Sequence, residues 1–272
     1  MDISVVTPVR DDPLIGQAIT SVPAGIDHVV AFTQPSDRVR TIVEAHREKS
    51  GLRLVETSAV GMAPGVNRGV EAARHEKVVL LDSDCTLEPG TLEAYARALD
   101  ASAFVRGRTI VRQGLGWARF SGLGQAELNR TFARGRARLI GPSIAFRRNA
   151  FLELGGYDPH SGASCDHEFV LRMEDRGITT AFEADAVIFH QALTFRIDVR
   201  AHLGYGRSMA YIDQRRGGRY GLGICTLRLY PSTLANKLVY RGLESVFRSL
   251  LLGTVMLYGY ADQSWRRPLG PS

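Results

Sequence analysis

Cysteine and lysine are both scarce in this chain. Its 272 residues hold only three cysteines, widely separated at Cys85, Cys165 and Cys225. An odd number of scattered cysteines argues against a disulfide framework and against the CxxC pairs of a structural zinc site. The first residues also lack the basic, apolar and small-residue order of a signal peptide. We therefore expect reduced thiols and a cytoplasmic protein.

Long apolar runs and glycine-rich phosphate loops are also missing. The uncharged stretch SLLLGTVMLYGY, residues 249–260, is too short to span a bilayer. No GxGxxG motif follows the first predicted strand, which disfavours dinucleotide-dependent oxidoreduction. The loop after that strand, TPVRDDPL, contains no glycine. This counts against a nucleotidyltransferase, in which a glycine-rich basic loop would be expected there.

Charge is segregated along the chain although the net charge is only +6. Residues 1–100 carry −5, residues 101–150 carry +9, residues 151–190 carry −6 and residues 191–272 carry +8. Two basic blocks around an acidic one favour an anionic partner, such as a phosphate, a diphosphate or a membrane surface. Because only three residues are lysine, an equally simple interpretation is that arginine is the solubilising residue here.

Short apolar strands alternate with helices in the first hundred residues. This repetition predicts a parallel sheet covered by helices on both faces, with ligands bound at the carboxyl ends of the strands. The loops after Thr7, Phe32, Val55 and Leu81 should therefore converge. The predicted strands cover residues 3–7, 28–32, 52–55, 78–81, 104–111, 144–146 and 186–189. The predicted helices cover residues 13–22, 36–48, 67–73, 90–99, 117–134, 149–154, 166–176, 196–216 and 232–260.

The fourth strand ends on two carboxylates, in the stretch KVVLLDSDC at residues 77–85. Considered alone, Asp82 and Asp84 have two interpretations. They could cap the helix that follows Pro89, since aspartate is a common capping residue. Alternatively, one carboxylate binds a hard divalent cation and the other reaches the cation or a ribose hydroxyl.

Four segments in order resemble glycosyltransferase family 2, the inverting enzymes with a GT-A fold. They are SVVTPVRDDP, GMAPGVNRGVEAARHEKVVLLDSDC, GPSIAFRRNAFLELGGYDP and CDHEFVLRMEDRGITTAF. The resemblance implies an α/β fold with a Rossmann-like, mostly parallel sheet sandwiched by helices. It also implies a catalytic domain over residues 1–190, with a nucleotide-binding half to residue 100 and an acceptor half after it. A C-terminal helical extension, residues 191–272, is expected to pack on that domain.

The resemblance implies a bacterial-type hexosyl- or N-acetylhexosaminyltransferase. The reaction would be a single displacement that moves a sugar from a nucleotide-diphosphate donor to an acceptor hydroxyl. Such a displacement needs a base opposite the leaving diphosphate, and the resemblance assigns this role to Asp166. Glu168 would support the acceptor, with Gly141 and Pro142 nearby. Cys165 stands where the family usually carries glutamate.

The resemblance also implies a divalent cation, Mn²⁺ or Mg²⁺, on the diphosphate. Asp84 is the first predicted ligand, Asp82 binds the cation or the ribose, and His190 is the third predicted ligand. An imidazole beside carboxylates suits Mn²⁺ slightly better than Mg²⁺.

Donor recognition departs from the family pattern, because Phe32 and Thr33 replace the two acids that usually read the base. The nucleotide and the sugar therefore stay open. The residues that the resemblance assigns to the donor are Thr7, Pro8, Arg10, Asp11, Asp37, Asn67, Asp82, Ser83 and Asp84.

Several alternatives remain at this point. Arg134, Arg136 and Arg138 could contact donor phosphates or an anionic acceptor, which could be a saccharide, a lipid-linked sugar or a small natural product. A catalytically inactive nucleotide-sugar-binding protein is a further possibility, although it would not need a base. Residues 232–260 are expected to form a core helix, with an interfacial helix at a membrane surface as the alternative. No nucleic acid partner is expected.

Overall fold

The computed structural model describes residues 1–112, 114, 116–227, 229 and 231–265, with side chains for all of these except 119–124, 127, 136, 231–233 and 235–242. The chain divides into two compact units. The larger unit comprises residues 1–159 and 166–192. The smaller unit comprises residues 160–165 and the chain from residue 193 onward.

An eight-stranded sheet forms the centre of the larger unit, in the order β3-β2-β1-β4-β7-β6-β8-β5. Neighbours pair in parallel except at β4–β7, β7–β6 and β8–β5. The sheet is therefore mixed, with four of its seven pairings parallel. The strands are β1 Ile3–Val9, β2 Asp27–Thr33, β3 Leu52–Thr57, β4 Lys77–Leu80, β5 Cys85–Leu87, β6 Phe104–Val111, β7 Ile144–Arg147 and β8 Ala181–His190.

Helices cover both faces of this sheet, as the sequence predicts. On one face, α1, α2 and α4 bury their apolar residues in the main core cluster. On the other face, α3 packs on β1 and β2, while Phe151 of α6 and Phe169 of α7 join an aromatic cluster with β6 and β7. The helices are α1 Ile15–Ser21, α2 Asp37–Glu44, α3 Met62–Ala72, α4 Thr91–Ala101, α5 Ser121–Thr131, α6 Arg148–Glu153 and α7 Cys165–Asp175.

The predicted end of the first strand at residue 7, before Pro8, is wrong, because β1 continues to Val9 with Pro8 paired to Ala31. The register between β1 and β4 ends at Val6 and Leu80. The Val6 carbonyl still accepts from the N–H of Leu81, the residue just after β4. The backbone of Pro8 faces the same side of β1 as that of Val6, and at Pro8 the neighbouring strand β4 has already ended. The missing N–H of proline therefore removes no bond from the sheet.

Helix α3 begins five residues before its predicted start at residue 67. Pro64 lies in its first turn, where proline is tolerated because the first N–H groups of a helix have no partner within it. Two glycines let this helix approach the sheet. A Cβ on Gly69 would lie 2.3 Å from Val6 Cγ1, and one on Gly65 would lie 2.7 Å from Thr33 Cγ2. The close approach brings the start of α3 to the carboxyl ends of β1 and β2.

Basic side chains hold the C-terminal ends of three helices in the larger unit. Arg148 donates to the last carbonyls of α3, Arg147 does so at α4, and Lys49 does so at α1. A cation at a helix C-terminus satisfies carbonyls and complements the helix dipole. These three basic residues are therefore engaged by the fold itself.

Asp27 forms a buried polar junction at the amino-terminal end of the sheet. Its carboxylate accepts from Ser4 Oγ at 2.6 Å, Arg53 Nε at 2.7 Å and the backbone N–H of Arg74 at 3.0 Å. Burial alone would raise the pKa of Asp27, but these hydrogen bonds and the Arg53 charge outweigh it and hold the pKa below its usual range.

Replacing Asp27 by asparagine is expected to lower the free energy of unfolding by about 2–3 kcal/mol at pH 7. Because folding depresses the pKa of Asp27, its contribution is fully present above the unfolded pKa of about 3.9 and is lost as the pH falls through the lower folded value. Urea unfolding of both proteins from pH 7 to pH 3 measures this. A difference that does not shrink below about pH 4 would contradict the assignment.

The smaller unit contains the helices α8 Phe195–Arg216, α9 Tyr220–Leu227 and α10 Pro231–Trp265. Helices α8 and α10 meet through glycine. A Cβ on Gly206 would lie 2.0 Å from the Met256 carbonyl oxygen, and one on Gly259 would lie 2.4 Å from that of Leu203. The two backbones are therefore too close for any larger residue at either position.

Two buried aspartates join the helices of the smaller unit. Asp213 accepts from the backbone N–H groups of Gly221 and Leu222 and from the Tyr260 hydroxyl. Asp198 pairs with Arg248 at 2.5 Å. Among the described residues, no helix has the length and apolarity needed to cross a membrane.

Candidate active site

A cavity of about 390 Å³ opens at the carboxyl ends of β1, β2 and β4, beside the end of β8. All four loops that were expected to converge contribute to it. Its described lining consists of Pro8, Val9, Arg10, Asp11, Asp12, Thr33, Gly61, Met62, Asp82, Ser83, Asp84 and His190. Four acidic side chains, one arginine and one histidine thus face a single cavity.

The Asp82–Asp84 loop is fixed to the loop after β1. Ser83 Oγ donates to Asp12 Oδ2 at 2.9 Å, and the backbone N–H of Leu14 donates to Asp12 Oδ1 at 2.9 Å. The neighbouring Asp11 accepts from Ser36, which caps α2. Asp12 is a site residue that the sequence analysis missed. The Asp-Pro pair before a helix was the signal for it, since aspartate there commonly binds backbone N–H groups.

Strand β5, which was not predicted, brings Asp84 next to His190. Cys85 pairs with His190 in the antiparallel ladder of β5 and β8. Asp84 Oδ2 then lies 3.4 Å from His190 Nε2. His190 Nδ1 lies 2.5 Å from the Gln191 carbonyl oxygen, which can only accept, so Nδ1 carries the proton.

This arrangement leaves two states for the His190 ring. A doubly protonated ring donates from Nε2 to Asp84. A neutral ring instead presents an Nε2 lone pair to the carboxylate, and the two acceptors then need a cation between them. The carbonyl partner on Nδ1 is the arrangement that orients histidine as a metal ligand. The donor set therefore fits a divalent cation.

Cys85 is a third group near Asp84 and His190, with possible ligand atoms of all three within 4.8 Å of one another. Its thiol contacts Asp84 Oδ1 at 3.6 Å. Burial, with the charges of Asp82 and Asp84, raises the pKa of Cys85 well above its usual value. Because Mn²⁺ and Mg²⁺ prefer carboxylate and imidazole ligands to a thiol, Asp84 and His190 are the candidate ligands of this group. Within the described residues, Asp82 is not part of this close group.

Asp82 is perturbed by its surroundings. Burial and then the charge of Asp84 raise its pKa to about 7; Asp166 adds to the rise, while His190 and Arg106 oppose it. The carboxylates of Asp82, Asp84 and Asp166 thus belong to one electrostatic site. Repulsion among them favours the binding of a cation.

Asp166 lies in the first turn of α7, as predicted. Its Oδ2 accepts from the backbone N–H of Gly141 at 2.7 Å, and its Oδ1 accepts from its neighbour His167 at 2.8 Å. Gly141 and Pro142, predicted on the acceptor side, therefore lie at the candidate base.

Four other predicted site residues lie outside the described cavity lining. Three of them bond other groups of the protein, and the fourth is exposed to solvent. Thr7 is buried and bonds His28 Nε2 at 2.9 Å. Asn67 uses both ends of its amide on the backbone of Tyr157. Glu168 pairs with Arg172 at 2.7 Å. Asp37 is exposed on the first turn of α2. These contacts do not support direct donor or acceptor binding by Thr7, Asn67 or Glu168.

Cys165 is buried, in keeping with a residue that supports the start of α7. Of the arginines considered for anion binding, Arg134 is exposed and Arg138 pairs with Glu174 at 3.0 Å. The Arg136 side chain lies outside the described residues. Arg138 is thus largely engaged within the larger unit, and a contact of Arg134 with the donor or the acceptor stays a prediction.

Known proteins share this fold. A mannosyltransferase from Pyrobaculum calidifontis, solved with GDP-Man and Mn²⁺, superposes with a TM-score of 0.68 at 18% identity, covering 98% of this chain and 88% of that one. TarS from S. aureus, in complex with UDP-GlcNAc, superposes with a TM-score of 0.55 at 14% identity, covering 97% of this chain and 90% of that one. At these identities the likeness shows the fold alone, which is the GT-A fold.

Sequence comparison gives the family. An uncharacterised glycosyltransferase of Mycobacterium tuberculosis strain H37Rv is 28% identical over 165 residues, or 59% of this chain and 74% of the relative. The relative in Mycobacterium bovis matches to the same extent. The model of the glycosyltransferase-like family 2 matches residues 3–202. The cavity with its converging carboxylates therefore belongs to an enzyme, and the chain is a member of glycosyltransferase-like family 2.

Proposed function

We propose that this glycosyltransferase moves a hexosyl or N-acetylhexosaminyl group from a nucleotide-diphosphate sugar to an acceptor hydroxyl, with inversion and with a divalent cation. The observation that carries the proposal is the Asp84–His190 pair, 3.4 Å apart in a cavity that Asp82 also lines. The P. calidifontis mannosyltransferase was solved with GDP-Man and Mn²⁺ and TarS with UDP-GlcNAc. Those ligands support a donor of the same class here.

Asp84 and His190 would hold the cation, with Asp82 on the cation or the ribose. When bound, Mn²⁺ or Mg²⁺ would stabilise the charge that develops on the leaving diphosphate. Arg10, which also lines the cavity, adds a positive charge suited to the same phosphates. Pro8, Asp11 and Ser83 would shape the donor site around them.

Asp166 would take the proton from the attacking hydroxyl. Its carboxylate has a lone pair available for this, because each oxygen receives one backbone N–H. A base that accepts this proton lets the hydroxyl attack the anomeric carbon in a single displacement.

Base recognition would differ from the usual family pattern. Phe32 is buried, and the guanidinium of Arg40 stacks 5.4 Å from its ring centroid, so Phe32 offers no hydrogen bond to a base. Thr33 lines the cavity with Gly61 and Met62. The chain would therefore bind the base by apolar contact and by backbone groups rather than by the usual pair of acids.

A thermal-shift panel of GDP-, UDP-, ADP- and dTDP-sugars, each with and without Mn²⁺, tests the proposal. A donor present at 100 times its Kd should raise the stability of the enzyme by about 2.7 kcal/mol, or a Tm rise of about 5–10 °C. The rise should require Mn²⁺. Turnover is then followed as nucleoside diphosphate release, with water as acceptor where no saccharide acceptor is supplied. No stabilisation by any donor would overturn the proposal.

We further propose that the smaller unit rests on an anionic membrane surface. One face of α10 is exposed and apolar over about six turns, with Leu243 75%, Phe247 64%, Leu250 42%, Tyr258 66% and Trp265 90% exposed. Their spacing of three, four and seven or eight residues places them on one side of the helix. The opposite side packs within the unit through buried Leu252 and Met256.

Charge complementarity selects the bilayer as the partner. The exposed arginines of α8 and the turn after it are Arg196, Arg200, Arg215, Arg216 and Arg219. The acidic Asp198, Asp213 and Asp262 are instead engaged with internal partners. An apolar stripe with aromatic residues on a basic unit matches an interfacial helix at anionic lipid.

Co-sedimentation with vesicles tests this surface. The protein should pellet with vesicles that contain about 30% phosphatidylglycerol and should remain in solution with vesicles of pure phosphatidylcholine. Phe247→Ser combined with Tyr258→Ser should abolish pelleting, whereas Leu128→Ser, an exposed apolar residue of α5, should not. A protein that ignores anionic vesicles but forms dimers through these residues would overturn the membrane assignment.

A further inference from the structure

Arg106 is a fully buried cation that the sequence analysis did not identify. It lies in the middle of β6 and is 1% exposed. Its guanidinium stacks 5.4 Å from the centroid of Phe132. Burial lowers the pKa of Arg106 to about 10, so it stays charged at neutral pH. Burying a charge costs free energy unless the charge is paired and hydrogen-bonded. Among the described residues Arg106 forms no direct ion pair, so its hydrogen bonds are the contacts that stabilise it.

One hydrogen bond of Arg106 goes directly to the segment Gly141–Ser143, and a second goes to Thr109, which bonds the same segment. Nη1 donates to the Ser143 carbonyl at 2.8 Å, and Nη2 donates to Thr109 Oγ1 at 3.1 Å. Thr109 Oγ1 in turn donates to the Pro142 carbonyl at 3.0 Å. Arg106 therefore fixes the positions of two consecutive carbonyl groups, that of Ser143 directly and that of Pro142 through Thr109.

The segment needs this support because its backbone is strained. Ser143 has a φ of 75° and Gly141 a φ of 71°, both in the left-handed region. Serine with a Cβ adopts that region only when its surroundings enforce it. The Ser143 hydroxyl donates to the Arg108 carbonyl and so accepts from Tyr95, which fixes the side chain as well.

The segment presents one hydrogen-bond donor to the proposed base. Pro142 has no N–H, and the Gly141 N–H donates to Asp166 Oδ2 at 2.7 Å. The direction of that N–H depends on the left-handed conformation at Gly141 and on the carbonyl positions that follow it. The contacts thus form a continuous path from Arg106 through the segment to Asp166.

We propose that Arg106 is a positioning residue for the transfer reaction: it holds the Gly141–Ser143 segment in the strained conformation that aims Asp166 at the acceptor. This inference rests on the proposed function, in which Asp166 is the base. Lysine cannot replace Arg106, because a single ammonium cannot reproduce the planar fork that reaches both the Ser143 carbonyl and Thr109.

The test compares Arg106→Lys and Thr109→Val with Arg53→Lys. Arg53 is the matched control, since its guanidinium also makes two hydrogen bonds, to the Asp27 carboxylate and the Ala72 carbonyl, but lies at the amino-terminal end of the sheet. We expect Arg106→Lys to lower kcat for nucleoside diphosphate release by about 10- to 100-fold, and Thr109→Val to lower it by a smaller factor, about 3- to 10-fold. Donor-induced stabilisation with Mn²⁺ should stay unchanged in both. Arg53→Lys should lower Tm and leave kcat within about twofold.

Two outcomes would overturn the inference. The first is that Arg106→Lys and Thr109→Val both have the same kcat as the control Arg53→Lys. The other is a loss of donor binding in proportion to kcat, which a general structural defect would cause. If Arg106→Lys does not fold, the near-isosteric Thr109→Val carries the test alone. Failure of the proposed function is recognised separately, because an active Asp166→Asn enzyme would remove the base assignment whatever Arg106 does.

Discussion

Replacing Asp166 by asparagine is expected to lower nucleoside diphosphate release by about 10³-fold while leaving donor binding intact. Asparagine keeps the shape of the side chain and can still accept from the Gly141 N–H at the same position. It cannot take a proton from an attacking hydroxyl at neutral pH. The expected defect is therefore confined to kcat.

The measurement pairs turnover with the thermal shift produced by the donor and Mn²⁺. Asp175→Asn is the matched control, because it removes an exposed carboxylate from the other end of α7. We expect the control to retain turnover within about twofold, as exposed surface substitutions usually do. An Asp166→Asn enzyme with normal turnover would exclude Asp166 as the base.

Removing the cation or its proposed ligands is expected to have the second largest effect. Asp84→Asn, His190→Gln and treatment with EDTA should each lower turnover by at least about 10²-fold, because several kcal/mol of charge stabilisation on the diphosphate would be lost. The Mn²⁺-dependent part of donor stabilisation should disappear in both variants. Added Mn²⁺ should restore the EDTA-treated enzyme and leave the variants defective.

His75→Gln serves as the control for the histidine substitution, since His75 lies at the amino-terminal end of the sheet, where its backbone N–H bonds Ser4. It should keep both turnover and the Mn²⁺ response. Full turnover by Asp84→Asn in the presence of EDTA would show that transfer does not depend on this site. Loss of the Mn²⁺ response in only one of the two variants would identify the other residue as a positioning group.

Local patterns explain why much of the sheet was predictable. Apolar runs such as residues 78–81 form buried strands with few alternatives, and Ser36, a residue type that commonly caps helices, caps α2. Two errors at the ends of elements have different causes, one distant along the chain and one local. Pro8 was expected to end a strand, and Asn67 to begin a helix. Strand β1 continues through Pro8 because β4 has already ended beside it. Helix α3 begins before Asn67 because Pro64 is tolerated in its first turn.

The candidate site shows the same division between local and distant information. The carboxylates of Asp82 and Asp84 were identified from a strand that ends on them. Asp12 and Arg106 were missed, since their importance lies in contacts with residues far along the chain, Ser83 for Asp12 and Ser143 for Arg106. The donor role of Asn67 stays a prediction, and what the fold adds is that its amide bonds the backbone of Tyr157.

The sequence by itself determined the strand–helix repeat, the carboxylates at the end of β4 and the ordered segments of the family, because all of these are written in local spacing and residue type. Only the tertiary structure decided that β5 pairs with β8 and so places Asp84 beside His190. It alone decided that Arg106 supports the segment bonded to Asp166. The physical reason is that burial, hydrogen-bond partners and charge pairs depend on contacts between residues that are distant in the chain, which no local pattern encodes.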